Sequence, residues 1–300
     1  MPRAEINFDE LVAAPVLGEG VFGRVLDLGD GTVLKAVREK CAGIGSGREK
    51  LEREWATLTM LTQAGELEGL IPVPRARGDV PHSSALAKDG FEAWLRMTKT
   101  PGRQLRLELL SRLSAVEQSA IGKHIGQTLA RVHRALSHAM AAAGKGSMSL
   151  DGDNVYAAIG EAVKEIGDPL YFDAIRQLAH ARRGVPLAVL AMPSHGDFNT
   201  SNLMFTPDRQ VCGILDFAEC GTDFPEKDIS DVVNDLPWLL KSVICGYEED
   251  SSFRIDPSRL TLGLAENALY GAVIGMRSGD LAETAQNRAL LITHLQRLAP

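Results

Sequence analysis

The sequence predicts an α+β protein of two lobes, in which a small antiparallel sheet with one helix precedes a larger, mainly helical lobe. Strand-like runs around glycine turns near the start of the chain indicate the sheet. Apolar residues at helical spacing after residue 105 indicate the second lobe. The length of 300 residues exceeds one average domain, which favours two lobes that share an interface. We therefore place the N-terminal lobe at 1–97, a hinge at 98–102 and the C-terminal lobe at 103–300.

A glycine-rich segment lies in the first strand pattern. Its motif is Gly18-x-Gly20-x-x-Gly23-x-Val25. A dinucleotide-binding fingerprint with the same glycine spacing would open a helix, whereas here a turn and a returning strand at 32–37 follow. We therefore expect these residues to bind a nucleotide, because glycines let backbone amides approach phosphates with no Cβ between them. The alternative, an ordinary glycine-rich hairpin, leaves Lys35 unexplained.

Lys35 lies among apolar neighbours on the returning strand, where a lone lysine is usually an edge residue with its head in water. The helical pattern from Arg48 to Leu61 suggests another role. At about 100° per residue, Glu54 falls within the apolar face of that helix. Because an unpaired buried carboxylate is expensive, we expect Glu54 to pair with Lys35. Two solvated surface charges are the alternative.

The boundary between the lobes follows an alternating pattern at 91–97, which predicts a strand. The run Thr98–Gly102 breaks it, and a helical pattern begins near Leu105. We expect the backbone of this hinge to dock adenine, with Met97, Thr98 and Thr100 beside the nucleotide. Before the strand, the proline-rich segment 71–74 is typical of a connector.

The C-terminal lobe contains several helical patterns. An apolar stripe predicts a core helix, and its residues are Ile121, Ile125, Leu129, Val132 and Leu136. Further helices are predicted at 154–166 and 170–181, the latter ending before Gly184. The apolar run 187–192 indicates either a short strand or a helical turn. His133 and His138 are more typical of structural residues than of ligands.

The most informative segment carries Asp197, Asn202 and Asp216. The sequence His195-Gly196-Asp197 precedes Asn202, and short strands predicted at 202–205 and 211–215 form a hairpin that brings Asn202 and Asp216 together. Two oxygen ligands that converge on one point suit Mg²⁺, and Asp197 would face an acceptor hydroxyl. Taken singly, each residue has the alternative role of a turn or cap.

These motifs together resemble the aminoglycoside phosphotransferase-like family, also called choline-kinase-like, of the protein-kinase-like fold. The resemblance extends from Leu17 to about Leu240 and includes Asp228, which is similar to a structural aspartate of the family. It implies an ATP-dependent small-molecule kinase with Mg²⁺. It also implies that Asp197 is the catalytic base or orients the hydroxyl, and that His195 supports the loop. By the same resemblance Lys35, positioned by Glu54, contacts the α/β-phosphates, while Asn202 and Asp216 bind the metal.

Departures from the protein-kinase pattern point towards small acceptors. Protein kinases usually carry Arg where Gly196 stands and Gly where Ala218 stands. The interval from Asp216 to Asp228 leaves no room for a long activation loop. The acceptor is open between an aminoglycoside, choline, homoserine and a sugar or amine-sugar. A catalytically silent nucleotide-binding protein is the other alternative, although the motif residues are intact.

Acidic residues after the metal motif offer one hint about the acceptor. They are Asp223, Glu226, Glu248, Glu249 and Asp250. They could attract a polycation, but solvated surface charges are the favoured interpretation. The segment 241–300 contains no recognisable motif.

The composition limits the cellular environments and the kinds of partner that we expect for the protein. A net charge of −7 argues mildly against nucleic-acid binding. No apolar run approaches the roughly 20 residues of a membrane helix, and the N-terminus lacks the apolar core of a secretory signal. The scattered cysteines, Cys41, Cys212, Cys220 and Cys245, are typical of reduced thiols. We expect a cytoplasmic protein with a small-molecule partner, whose oligomeric state the sequence leaves open.

Overall fold

A computed structural model describes residues 6–8, 10–38, 45–105, 107–144 and 152–298, and in them an antiparallel sheet precedes a mainly helical region. The strands are β1 (Val16–Glu19), β2 (Gly23–Asp27), β3 (Thr32–Arg38), β4 (Pro74–Asp79), β5 (Phe91–Thr98), β6 (Arg103–Gln104), β7 (Pro193–Ser194), β8 (Leu203–Phe205), β9 (Val211–Ile214) and β10 (Gly221–Thr222). The α-helices are α1 (Gly47–Ala64), α2 (Ala85–Lys88), α3 (Leu107–Leu110), α4 (Ala115–Ala142), α5 (Gly152–Ile166), α6 (Pro169–Arg183), α7 (Leu187–Leu190), α8 (Glu226–Asp235), α9 (Leu240–Asp250), α10 (Pro257–Ser278) and α11 (Leu281–Leu298). Short 3₁₀ turns lie at Glu10–Ala13, Thr200–Asn202, Phe217–Glu219 and Pro237–Leu239.

The N-terminal lobe is a five-stranded sheet in the order β1-β2-β3-β5-β4, with every pair antiparallel. Helix α1 packs on it and begins at Ser46, whose side chain accepts a hydrogen bond from the backbone N–H of Glu49. Gly65 ends the helix in the left-handed conformation, at φ 75°. Leu51, Glu54 and Leu58 lie on its buried face, as the apolar spacing predicts.

The predicted connector 71–74 leads directly into the edge strand β4. Residues 71–73 lie outside the strands and helices, whereas Pro74 is the first residue of β4 and lies opposite Met97. Proline is tolerated there because an edge strand leaves one row of N–H groups without a ladder partner. Strand β5 also runs through Thr98, one residue into the expected hinge. The lobe boundary at 98–102 remains a prediction.

Helix α4 forms the centre of the larger lobe and carries the predicted apolar stripe on its buried face. Gly126, which weakens the intrinsic propensity of this helix, lies where α4 crosses α9. A Cβ at Gly126 would lie 2.0 Å from the carbonyl oxygen of Val243, and one at Gly246 would lie 2.0 Å from that of Lys123. The close approach of the two helices therefore requires these glycines, and packing offsets their low propensity.

Helices α5, α6, α10 and α11 enclose a second apolar core. The predicted helices at 154–166 and 170–181 are present as α5 and α6, and the ambiguous run 187–192 forms the short helix α7. Among the described residues, no helix has the length and apolar character needed to cross a membrane. Cys212, Cys220 and Cys245 are free thiols, and Cys41 lies outside the described residues.

Candidate active site

A buried ion-pair cluster connects the two lobes at Lys35. Its Nζ lies 2.8 Å from Glu54 Oε2 and 2.8 Å from Asp216 Oδ1. The Glu54 side chain is fully buried, so the pairing that the sequence predicts is present. Burial alone would lower the pKa of Lys35, but the charges of Asp216 and Glu54 outweigh it and hold that pKa above its ordinary value. Lys35 is therefore a permanent cation at the junction of the lobes.

The carboxylate of Asp197 is held by two amides of its own loop. Asn199 Nδ2 donates to Asp197 Oδ1 at 2.6 Å, and Asn202 Nδ2 donates to Asp197 Oδ2 at 2.8 Å. Burial, followed by the negative charges of Asp231, Asp216 and Glu219, raises the pKa of Asp197 well above its ordinary value. The side chain is thus fixed in orientation in a negatively charged, poorly solvated part of the site.

The β8–β9 hairpin brings Asn202 next to Asp216, as the sequence predicts. Leu203 pairs with Ile214, and the backbone N–H of Leu215 donates to the carbonyl of Asn202 at 2.8 Å. Asp216 follows in the left-handed conformation at φ 59°, which is uncommon for a residue other than glycine. Backbone strain of this kind clusters at functional sites.

Gly196 gives the loop a shape that a larger residue would prevent. Its φ is 82°, and a Cβ there would lie 2.3 Å from the carbonyl oxygen of Glu219. The arginine that protein kinases usually carry at this position would therefore collide with the backbone beyond Asp216. The departure noticed in the sequence has a steric cause.

His195 braces the loop in its neutral form. Burial lowers the pKa of this imidazole. Its Nε2 donates to the carbonyl of Leu215 at 3.1 Å, which leaves Nδ1 to accept from the backbone N–H of Asp197 at 3.3 Å. The histidine therefore ties the loop of Asp197 to the segment that carries Asp216.

Asp228, the third residue of α8, holds the other side of the loop that carries Asp197. Its carboxylate accepts hydrogen bonds from His133 Nε2 at 2.7 Å and Ser194 Oγ at 3.0 Å, and from the backbone N–H groups of His195 and Gly196, both at 2.8 Å. Burial would raise its pKa, but the bond from His133 and the neighbouring donors lower it to about 2. His133 is thus a structural residue, in line with its position on the core helix.

The substitution Asp228→Asn is expected to destabilise the protein by roughly 3–5 kcal/mol at neutral pH, because a buried charge network loses its centre. The pKa of Asp228 is about 2 in the folded protein and about 3.9 in the unfolded protein. Its ionised carboxylate therefore stabilises the fold in full above about pH 3.9. That stabilisation is lost as the pH falls through the pKa of Asp228 in the folded protein, about 2. Urea unfolding between pH 6 and pH 2 should therefore show the stability difference between wild type and variant shrinking as the pH falls. Asp173→Asn, on an exposed face of α6, is the control, and parallel stability curves for wild type and Asp228→Asn would contradict the assignment.

A cavity of about 1050 Å³ lies between the lobes and contains the whole cluster. All the residues predicted to bind nucleotide line it, namely Gly18, Gly20, Gly23, Val25, Lys35, Met97, Thr98 and Thr100. A Cβ at Gly18 or Gly20 would meet open space, whereas one at Gly23 would lie 2.3 Å from the carbonyl oxygen of Ala36. Gly23 is therefore required for packing of the hairpin on β3, and the other two leave room above the cavity.

Asn202 and Asp216 form an incomplete cation site by themselves. Both line the cavity, but Asp216 Oδ1 already accepts from Lys35. Among the described residues, no group of three or more His, Cys, Asp or Glu side chains converges on one point. Mg²⁺ typically takes one or two protein oxygens and fills its other positions with phosphate and water. The donor set thus suits a magnesium ion that arrives with a nucleotide.

Comparison with known proteins decides the family. A family model described as the phosphotransferase enzyme family (APH) matches residues 40–260, which is more than half of the chain. The chain belongs to this family. It is a phosphotransferase of the protein-kinase-like fold. No curated protein matches its sequence.

Solved structures of similar fold cover nearly the whole phosphotransferase. The GDP complex of wild-type aminoglycoside 2'-phosphotransferase-IIIa has a TM-score of 0.64 at 15% identity, over 99% of this chain and 95% of the other. A streptomycin–ATP ternary complex of APH(2")-IIa has a TM-score of 0.61 at 16% identity, over 97% and 96%. Macrolide 2'-phosphotransferase MphH from Brachybacterium faecium has a TM-score of 0.55 at 17% identity, over 92% and 91%.

The far end of the phosphotransferase cavity contains residues that the sequence analysis missed. Helix α10 contributes Glu266, Asn267 and Tyr270, although the segment 241–300 offered no motif. Glu266 and Asn267 interrupt an apolar stretch of that helix, 262–269. The reasoning that identified Glu54, a carboxylate on a buried face, would have identified Glu266.

The acidic residues suggested as a polycation site are mostly elsewhere. Of the five, Asp223 lines the cavity and pairs with Arg182. Glu226 is fully buried against Arg259, while Glu248 pairs with Arg254 and Glu249 with Lys123. Glu249 and Asp250 are exposed, which agrees with the favoured interpretation, whereas Glu248 is partly buried and also accepts from the backbone N–H of Ile255. Glu226 and Asp223 are internal ion-pair partners rather than solvated charges.

Proposed function

We propose that the protein transfers the γ-phosphoryl group of ATP to a hydroxyl of a small molecule. The observation that carries the proposal is the position of Lys35, whose Nζ lies 2.8 Å from both Glu54 and Asp216 in the cavity that also contains Asp197. A buried, permanently charged lysine beside a carboxylate pair suits phosphate binding, since phosphoryl transfer depends on positioning and charge neutralisation.

In the proposed mechanism each residue acts on a different part of the reactants. Lys35, oriented by Glu54, holds the α- and β-phosphates beneath the amides at Gly18 and Gly20. Asp197 orients the attacking hydroxyl and takes its proton, with its carboxylate already aimed by two amide hydrogen bonds. Asn202 and Asp216 would hold Mg²⁺, which, when bound, offsets charge on the phosphates.

The purine would lie in the apolar end of the cavity, among Val25, Val33 and Met97. We propose that Thr98 and Thr100 border it and that backbone groups of the 98–102 segment read its edge. The related structures have been solved with GDP in one case and with ATP in another, so both nucleotides are worth comparing. An aminoglycoside, a macrolide, choline, homoserine and a sugar are candidate acceptors, the first two because related structures carry those names.

A coupled assay of ADP release tests the proposal directly. Wild-type protein is incubated with Mg²⁺ and ATP or GTP, alone and with each candidate acceptor, and phosphorylated product is detected by mass spectrometry. We expect acceptor-dependent product formation with ATP. Binding of magnesium nucleotide without any product, across all acceptors, would instead support a catalytically silent binding protein.

A further inference from the structure

Helix α8 contacts the loop that carries Asp197 at two points. Near the start of the helix, the Asp228 carboxylate accepts hydrogen bonds from the two backbone N–H groups just before Asp197. At the last helical residue, Asp235 Oδ2 accepts from Thr200 Oγ1 at 2.6 Å and from the backbone N–H of Thr200 at 3.3 Å. The loop is therefore attached to one helix on both sides of Asp197.

The spacing of the two aspartates allows a single rigid helix to hold both points. Asp228 and Asp235 are seven residues apart, which is close to two α-helical turns, so they lie on the same side of α8. A rise of 1.5 Å per residue separates them by about 10 Å along the helix axis. Between them, Ile229, Val232 and Val233 are buried in the core. Because the helix is anchored by these side chains, it fixes the distance between its two contacts with the loop.

The position of Asp235 at the end of α8 is unfavourable for the helix itself. The final turn, 232–235, contains no basic residue, and its last residue is acidic. A carboxylate there meets the negative end of the helix macrodipole, where cations are preferred. Asp235 is partly buried, and only 7% of Thr200 is exposed, so the bonds between them are shielded from water. The bonds to Thr200 therefore account for an acidic residue at this position.

Thr200 connects Asp235 to the proposed reacting groups. It is the first residue of the 3₁₀ turn that ends at Asn202. The Asn202 amide donates to Asp197 Oδ2 at 2.8 Å and to the Asp197 carbonyl oxygen at 2.9 Å. A displacement of this turn would therefore move a proposed metal ligand and release the carboxylate of the proposed base. Groups that touch the reactants commonly depend on such outer contacts for their orientation.

We propose that Asp235 is a positioning residue for phosphoryl transfer, and that through Thr200 it fixes the turn that holds Asn202 for the metal and Asp197 for the acceptor hydroxyl. This inference rests on the proposed function, because it concerns the geometry of the same site. Asp235 is not among the described residues that line the cavity, so it acts through Thr200 and not by contact with a reactant. The two ends of α8 thus differ, since Asp228 stabilises the fold and Asp235 sets the geometry of the loop.

The first test compares Asp235→Ala with Asp235→Asn. The alanine variant loses both bonds to Thr200, and we expect kcat to fall roughly 10- to 100-fold, the scale for a group that supports a metal ligand. Asparagine keeps an oxygen acceptor and should restore kcat to within about threefold of wild type. The acceptor KM should change by less than about threefold in both variants, because the contacts with the bound acceptor remain. Both melting temperatures should stay within about 3 °C of wild type, since loss of the charge also relieves its repulsion by the helix end.

The second test needs no acceptor. Calorimetry of ATP binding with and without Mg²⁺ gives the gain in affinity that the metal provides. In Asp235→Ala this gain should shrink to less than about a third of the wild-type gain, while the metal-free affinity is unchanged. Thr200→Val removes the hydroxyl and keeps a similar shape, so it should show the same defect to a smaller degree. Combined with Asp235→Ala, it should add less than about a twofold further loss, because the two side chains act as one pair.

The matched control is Asp250→Ala, because Asp250 is also the last residue of a helix, α9, and is exposed. It should equal wild type in every measurement. The inference is overturned if Asp235→Ala keeps the wild-type kcat and Mg²⁺ gain. A kcat loss that asparagine does not restore, or that accompanies a lower melting temperature, also overturns it, because either result indicates a structural role. Wild-type protein that binds magnesium nucleotide but turns over no acceptor would overturn the proposed function, and the Mg²⁺ gain would still decide whether Asp235 positions Asn202.

Discussion

Replacing Asp197 with asparagine is expected to lower turnover by roughly 10²–10⁴-fold, the usual scale for loss of a general base. The substitution removes the group that takes the hydroxyl proton, while Lys35, Glu54 and Asp216 remain in place. Nucleotide affinity should therefore stay within a few-fold of wild type. Steady-state kinetics with a saturating acceptor, together with calorimetric titration of magnesium nucleotide, measure both quantities.

The substitution Asn199→Ala is expected to give a turnover between those of wild type and Asp197→Asn. Asn199→Ala removes one of the two amides that orient the carboxylate but keeps the carboxylate itself. Its loss of turnover should be much smaller than that of Asp197→Asn. Asp208→Asn, on the exposed turn between β8 and β9, is the matched surface control and should behave as wild type. If Asp197→Asn turns over at the wild-type rate, Asp197 has no part in proton transfer.

The pairing of Lys35 with Glu54 shows how far sequence patterns reach. A charged residue on the apolar face of a helix must find a partner, and the periodicity of α1 places Glu54 on that face. The same kind of argument places Asn202 beside Asp216, because a short hairpin lies between them. Local periodicity places Glu54 on the buried face of α1, and turn chemistry places Asn202 beside Asp216. Packing of α1 on the sheet then brings Glu54 to Lys35.

The far end of the cavity could not be predicted in the same way. Arg182, Asp223 and Glu266 are distant in sequence, and no local pattern indicates that three separate elements meet. The ion pair between Lys35 and Asp216 is a similar case, since it joins residues of different lobes. Long-range packing of α6 and α10 creates that end of the cavity.

The role of Gly196 could be predicted only in part from the sequence. Its departure from the protein-kinase pattern is visible in the sequence, but the reason is not. The reason is the carbonyl of Glu219, which a side chain at residue 196 would strike. The short turn after Asp216 therefore approaches the loop of Asp197 so closely that both segments constrain each other.

The substitution Asp216→Ala is expected to abolish the gain in nucleotide affinity that Mg²⁺ provides, while metal-free affinity changes little. The carboxylate is one of two proposed protein ligands for the metal, and even groups that only support a metal ligand contribute roughly 10- to 100-fold in affinity. Lys35 keeps its bond to Glu54 at 2.8 Å, so its contact with the phosphates should persist. Loss of the Asp216 charge even frees one donor of Lys35 for a phosphate oxygen.

Fluorescence titration of ATP at increasing Mg²⁺ concentrations separates these contributions. Wild-type affinity should rise with Mg²⁺ by at least about tenfold, whereas the Asp216→Ala curve should stay flat near the metal-free value. Glu54→Gln is the complementary variant, because it removes the charge of the other partner of Lys35 and leaves Asp216 to hold the metal. This variant should bind the nucleotide more weakly than wild type both with and without Mg²⁺. Its nucleotide affinity should still rise as the Mg²⁺ concentration increases. If the Asp216→Ala titration follows the wild-type curve instead, the metal lies elsewhere, and the Lys35–Asp216 ion pair is a structural connection between the lobes.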